Sequence, residues 1–355
     1  MRRKRSRAGI SLKLASLVAG IVVSMSGGAS ALAPGCPGLV RQSGLAMGTR
    51  VTIAVCPLGA GPQGEARARE AARSAFGEFG RLENLWTIWR PASDVSRINA
   101  AAGKGPVKVA PETIAVLQAS LAGSRLTHGI FDITFWAVGQ LWNFETPPGS
   151  RAPPALERIP TAAEVRARLK LVGWRHLHVD SRRRTAFLDR AGMRIDLGGI
   201  GKGAAVDRAV AMLRASGYRD FVVQAGGDLY CAGKNGRRPW MVGIQHPRKK
   251  GAILGRVRVT DAAFSTSGDY EHFVIVNGVR YHHLIDLRTG FPARASESAT
   301  VLVSTATEAE VLDKWAFVLG GRRALAALAS VHAKGFLADG HGRIWQSPGL
   351  RVLPP

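Results

Sequence analysis

An α+β fold is what this sequence predicts. Strand patterns dominate the chain, helical patterns intrude singly between them, and no β-α-β alternation persists over the length that would build a doubly wound sheet. The elements follow in order.

The first 25 residues carry Arg2, Arg3, Lys4, Arg5, Arg7 and Lys13, then a weakly apolar run from Leu14 to Met25 and small residues ending in Ala29-Ser30-Ala31. The run is shorter than the roughly 20 residues a membrane span needs, and Ala-Ser-Ala has the A-x-A form of a cleavage site. Residues 1–31 therefore read as a signal peptide, and 32–355 as an exported, periplasmic chain. Gly44 to Val55 alternates as a strand does, and Gly59 to Gly64 reads as a loop. Ala72, Phe76, Phe79 and Leu82 recur at three- and four-residue spacing and predict a helix from Glu65 to Leu85; Ile114, Leu117 and Leu121 predict another from Pro111 to Arg125. Thr146 to Pro160, rich in Pro, Gly and Arg, reads as a surface insertion.

Thr161-Ala162-Ala163-Glu164 has the spacing of a capping box before a short helix that Gly173 stops. His176 to Asp180 and Thr185 to Asp189 read as a hairpin, and Met193 to Leu197 as a strand feeding a glycine-rich turn. A helix then leaves that turn from Gly203 to Ser216. Phe221 to Gln224, Trp240 to Gln245, Gly255 to Val259, Phe273 to Val276 and Thr300 to Ser304 supply further strands.

The composition, 46% hydrophobic and 21% charged, is that of a folded protein and excludes disorder, collagen and coiled coil. Lys and Arg number 49 against 25 Asp and Glu, a net charge of +24. Such an excess suggests nucleic acid or an anionic surface. Six of those charges belong to the leader, and export removes the chain from nucleic acid, so no nucleic-acid partner is expected. Arg237-Arg238 and Arg248-Lys249-Lys250 read as solvated faces that can also meet an acidic target or a membrane surface. Cys36, Cys56 and Cys231 are too few for a disulfide framework and lack metal spacing. Ala33-Pro34-Gly35 lacks the upstream Leu of a lipoprotein signal, so Cys36 reads as a bystander thiol rather than a lipid anchor.

The segment most informative about chemistry is Asp196-Leu197-Gly198-Gly199-Ile200-Gly201-Lys202-Gly203, a glycine loop opening a helix. Free backbone N–H groups and the positive end of a helix make an anion site there, to which Lys202 adds a charge suited to phosphate. Gly203 stands where a P-loop needs Ser or Thr, and the glycine spacing is not that of a dinucleotide fingerprint. A tight structural turn is the alternative reading. Further on, Ser265-Thr266-Ser267-Gly268-Asp269-Tyr270 and Tyr281-His282-His283-Leu284-Ile285-Asp286-Leu287-Arg288-Thr289-Gly290 collect hydroxyls, imidazoles and carboxylates suited to holding phosphate oxygens and moving a proton. Turn chemistry, with either His an ordinary surface residue, is the alternative. Trp86 and Trp89 can stack on a planar ring, though aromatics three apart are more often core.

Taken in order, these segments resemble the FAD:protein FMN transferases, the ApbE-like flavin transferases. The resemblance is carried by Met47-Gly48-Thr49, Trp89 to Asn99 with Ser93, Ser96 and Asn99, Phe131-Asp132-Ile133-Thr134, Asp196 to Asp207, Ala225-Gly226-Gly227-Asp228, Ser265 to Tyr270 and His283 to Gly290. It implies a single ApbE-like domain over 32–355, of mainly antiparallel sheets with packed helices. It also implies an enzyme that moves the FMN half of FAD onto a Ser or Thr hydroxyl of a partner protein and releases AMP. By the same resemblance, His283 is the proton acceptor and Asp286 supports it, while Met47, Thr87, Trp89, Asp132, Asp196, Lys202 and Ile285 contact the flavin. The acceptor is expected to belong to a membrane redox or respiratory system.

One segment departs from the family pattern. The family's Mg2+ site uses a loop carbonyl, matching Gly199 here, with an Asp and a Thr four apart on a late helix. Anchored on Phe317 to Gly320, those positions hold Glu310 and Lys314. Glu310 still offers oxygens to a hard cation, but an ammonium is no metal ligand. The expectation is that Lys314 places its charge near the vacated metal position; a shifted helix using Asp313 is the rival. Hydrolysis of FAD to FMN and AMP and a non-catalytic flavin-binding assembly factor are the alternatives to transfer.

Overall fold

The computed structural model describes residues 35–144, 156 and 158–355. The expected leader and most of the Thr146 to Pro160 insertion lie outside those residues. The described chain is α+β and almost wholly antiparallel, as the patterning predicts. Its centre is an eight-stranded sheet in the order Val40–Ala46, Thr49–Val55, Phe221–Ala225, Asp228–Ala232, Ala262–Gly268, Ser298–Val303, Lys334–Ala338, Ile344–Gln346.

Both faces of that sheet are covered, because successive side chains of a strand point to opposite sides. Phe221, Val223 and Ala225 join the larger core beneath the helices Pro62–Trp86 and Gly201–Ala215, whereas Val222, Leu229, Phe264 and Phe336 pack against a three-stranded sheet of Val352–Leu353, Ile253–Val259 and Trp240–Gln245. A third helix, Ala306–Leu319, buries Leu312, Ala316 and Phe317 with Ala299 and Val301 of the sheet. In the long helix Pro62–Trp86, proline sits in the first turn, where its missing N–H costs nothing, and Ala68, Ala72, Ala75, Phe79 and Leu82 form the buried stripe. The Thr161 capping box forms as the sequence predicts, over helix Ala162–Leu169.

Several expectations change. Gly44 to Val55 is not one strand: the chain reverses at Met47-Gly48, both at positive φ (51° and 69°), and makes a hairpin. Met193 to Leu197 is extended but joins no ladder, because its hydrogen bonds go to a side chain and a loop. The Asn99 amide donates to the Ile195 carbonyl at 2.9 Å while the Ile195 N–H donates to Asn99 Oδ1 at 2.7 Å, and the Asp196 N–H donates to the Ile133 carbonyl. The polar stretch from Ser265 to Gly268, for which turn chemistry is the alternative reading, is the end of a central strand. Cys36 is no bystander: it is disulfide-bonded to Cys56, with Cα atoms 5.8 Å apart, tying the chain before the first strand to the end of the second. Arg248 is not a solvated charge but grips the Asp269 carboxylate with both nitrogens, at 2.6 and 2.7 Å, and pairs with Glu297. Among the described residues no helix is long and apolar enough to cross a membrane.

Candidate active site

A cleft of about 500 Å³ opens where four irregular segments meet: the Met47-Gly48 turn, the Thr87–Trp89 loop, the Gly198–Lys202 loop and the stretch around His272 and His283. Each segment has a local reason for its shape. The Thr87–Trp89 loop is held by two serines: Ser93 Oγ donates to the Thr87 carbonyl at 2.6 Å and Ser96 Oγ to that of Ile88 at 3.2 Å. Ser93 also caps the helix Asp94–Ala100. Asp132 accepts from the Thr134 N–H and hydroxyl on one oxygen and from the Trp174 N–H on the other, at 2.7–2.8 Å. Burial raises its pKa, and those donors oppose the rise.

The glycine loop folds tightly because Asp196 Oδ1 accepts the Gly198 N–H at 2.5 Å. It then opens the helix Gly201–Ala215, whose first turn is not free to take an external anion as the sequence suggests. The fully buried Glu310 carboxylate reaches in from helix Ala306–Leu319 and accepts the Gly203 N–H at 2.7 Å. Only glycine fits at 203, since a Cβ there would collide with the Ala306 carbonyl. The second helix is capped from the first: Asp207 accepts from the N–H groups of Ala306 and Thr307, at 2.8 and 2.9 Å, and from the Thr307 hydroxyl.

Lys202 lines the cleft, but its ammonium is committed inward. It donates to Glu310 Oε1 and to the Gly198 carbonyl at 3.3 Å, and it pairs with Asp228 Oδ2 at 3.1 Å. Burial works against the charge, yet Asp228 and Glu310 hold the ammonium's pKa above the ordinary lysine value. Lys314 donates to the Glu310 carbonyl at 2.8 Å and to Asp313 Oδ1 at 3.2 Å. Its stem passes the loop closely, with Cε 3.3 Å from where a Cβ on Gly199 would sit. Asp313 takes Ser265 Oγ at 2.6 Å and Ser267 Oγ at 2.9 Å; Ser265 Oγ also reaches Asp228 Oδ1. One hydroxyl has one proton to give, so Ser265 cannot donate to both carboxylates at once; burial raises the Asp313 pKa.

Whether a divalent cation fits can be decided from these contacts. The buried carboxylates of Asp228, Glu310 and Asp313 present six oxygens. Each already meets an internal partner: Ser265, Lys202, the Gly203 N–H, Ser267 or Lys314. Mg2+ prefers near-octahedral oxygen ligands and rejects an adjacent ammonium. The donor set at Gly199, Glu310 and Lys314 does not fit the metal, and among the described residues no cluster of three or more His, Cys, Asp or Glu is arranged to hold one.

On the opposite wall, the hairpin Phe273–Val276 and Val279–His282 turns at Asn277-Gly278, both at positive φ. Beyond its last pair the His283 N–H donates to the His272 carbonyl at 3.1 Å, and the two rings meet edge to face with centroids 5.3 Å apart. The two adjacent imidazoles differ in their partners. His282 is buried with Nε2 2.8 Å from the Ala293 carbonyl and its ring against Phe317. His283 lines the cleft, and its Nδ1 has no hydrogen-bond partner among the described residues. Burial and the neighbouring His272 push its pKa well below the ordinary value, so the ring is neutral at neutral pH. Glu271 beside it is raised to about 7 by burial, with Lys202 opposing.

Of the residues expected at the site, Met47, Thr87, Trp89, Asp132, Asp196, Gly199, Lys202, Ile285, His283 and Lys314 line this cleft. Asp286 does not: its carboxylate is forked by Arg288 at 2.7–3.2 Å, and its backbone carbonyl accepts the Thr289 and Gly290 N–H groups, so it builds the turn behind His283. Glu310 lies beneath the loop, fully buried. Sequence reasoning missed Glu271 and His272 and the role of Asp228. The spacing of Ser265 and Ser267, two apart on a strand and so on one face, was the available signal for the hydroxyl pair.

Residues 47–338 match the ApbE family. An FAD:protein FMN transferase of Klebsiella pneumoniae (strain 342) is 30% identical over 344 residues, covering 94% of this chain and 95% of that one. One from Treponema pallidum (strain Nichols) is 32% identical over 74% of this chain and 75% of its own. Among solved structures, the ApbE protein of Thermotoga maritima superposes with a TM-score of 0.78 at 30% identity, over 87% of this chain and 97% of the other. The flavin transferase ApbE of Vibrio cholerae gives 0.74 at 26% identity, with the same coverages.

Proposed function

The chain belongs to the ApbE family, and from that premise we propose that it is an FAD:protein FMN transferase whose donor substrate, FAD, lies in the cleft with its pyrophosphate between the glycine loop and His283. The observation that carries this reading is the neutral His283 imidazole, lining the cleft with an unpartnered Nδ1 across from that loop. An orphaned polar atom on a cleft wall points to a ligand. Thr87, Trp89, Asp132, Asp196, Met47 and Ile285 are the cleft residues positioned to contact the flavin half.

In the reaction, a Ser or Thr hydroxyl of the acceptor attacks the FMN-side phosphorus. A new P–O bond forms to the acceptor, the bond to the bridging oxygen breaks, and AMP leaves with that oxygen. His283 takes the hydroxyl proton, a role that needs the neutral ring its environment enforces. The Glu310–Lys202 pair fixes the loop opposite, so the phosphorus is presented without rearrangement of the wall. No step passes through a divalent cation.

Export and the acceptor belong to the same proposal. The leader pattern supports export, and the Cys36–Cys56 disulfide is at home in an oxidising compartment. The acceptor is proposed to be a redox protein at the membrane, presenting a Ser or Thr. AMP release from FAD together with an acceptor mass gain equal to FMN tests the reading. AMP without labelling of any acceptor would identify hydrolysis instead, and bound FAD with no AMP a flavin-binding relative without turnover.

A further inference from the structure

We infer that Lys314 is the resident cation of this cleft: its ammonium stands in for a divalent metal, so that the chain holds the pyrophosphate of FAD without Mg2+. This rests on the reading that the cleft takes FAD. Three observations carry it. First, all six oxygens of Asp228, Glu310 and Asp313 are occupied from within the protein, so the acidic groups that would draw a metal into this wall are spent. Second, the two ammonium groups are not equivalent. Lys202 uses three donors on Glu310, Asp228 and the Gly198 carbonyl, whereas Lys314 uses two, on the Glu310 carbonyl and Asp313. A lysine ammonium has three donors, so Lys314 retains one while lining the cleft. Third, the chain makes room for it: the Lys314 stem lies over Gly199, where a Cβ would crowd Cε.

The electrostatics agree with geometry. The ammonium groups of Lys202 and Lys314 stand among the carboxylates of Asp228, Glu310 and Asp313, and a dianionic pyrophosphate meets a fixed, partly desolvated ammonium rather than a mobile hydrated ion.

The test uses the purified chain, FAD and Mg2+. Flavin fluorescence gives the FAD Kd with EDTA or with Mg2+, and calorimetry reports Mg2+ binding without flavin. The expected result is an FAD Kd that is the same in both conditions and no Mg2+ binding. In Lys314→Thr the Kd in EDTA rises about tenfold or more, the loss of one charge-assisted hydrogen bond, and Mg2+ recovers part of it. Lys314→Arg, which keeps the charge, retains metal-free binding. A wild-type chain that binds FAD only with Mg2+, or that binds Mg2+ by itself in the cleft, overturns the proposal and leaves the transferase reading intact. A chain that binds no FAD under either condition overturns both.

Discussion

Asp207 and Glu310 cap each other's helices. Asp207, in the helix that opens at the glycine loop, accepts the first two N–H groups of helix Ala306–Leu319, and Glu310 of that helix accepts the Gly203 N–H of the first. Two helix N-termini are thus satisfied by carboxylates exchanged across one contact, each favoured by the partial positive charge it meets. The cleft wall inherits its rigidity from this exchange.

Asp207→Ala should therefore lower stability by about 1–3 kcal/mol, the loss of a cap with several bonds. Chemical denaturation of the variant against the parent measures it; an unchanged midpoint would show that the two helices are held by packing alone.

His283→Asn should reduce AMP release by about two to four orders of magnitude while FAD binding persists. The pH profile carries a sharper expectation. Because the folded pKa is depressed, the base is neutral above the ordinary value of 6.5 and stays so as pH falls through it, so the acid limb of the rate lies below 6.5. An inflection at or above that value would assign the proton to another group.

Glu271 titrates near 7 inside the cleft. Its carboxyl is neutral below that pH and anionic above it, so FAD, itself an anion, should bind more weakly as pH rises through 7. Glu271→Gln should flatten that dependence. Measuring the FAD Kd from pH 6 to 8 in both proteins decides it, and parallel curves would remove Glu271 from the flavin's surroundings.

The Cys36–Cys56 crosslink closes a 20-residue separation, for which the loss of a disulfide costs about 3 kcal/mol. Reductant, or Cys36→Ser, should lower the melting temperature of the oxidised protein, and the variant should then be insensitive to reductant. Equal melting with and without reductant would mean the thiols are not joined in solution.

Much of this was legible in the chain. The helix Pro62–Trp86 declares itself by apolar spacing, Gly201–Ala215 by leaving the glycine turn, and the Thr161 capping box by its residues. The glycine loop and the His282-His283 stretch stand out as polar segments, whereas Asp132 and the choice of His283 over His282 come from the family resemblance. What stayed hidden depends on contacts distant in sequence. Nothing near Met193 to Leu197 says that Asn99, almost a hundred residues earlier, will replace the neighbouring strand. Lys202 reads as a phosphate ligand until Glu310, 108 residues away, is seen to hold it. Cys36 and Cys56 give no sign of pairing while the hairpin between them is read as one strand.

The Asn277-Gly278 turn lies beyond the cleft, yet it decides which of two adjacent imidazoles lines it. A two-residue loop leaves no slack, so Phe273 must sit opposite His282 and His272 opposite His283. One residue added to that loop would bring His282 opposite His272, and one residue removed would bring His283 opposite Phe273, where His282 now packs. Which imidazole the cleft receives is in this sense a matter of counting: it is written into the length of a hairpin as much as into the residue that carries the nitrogen.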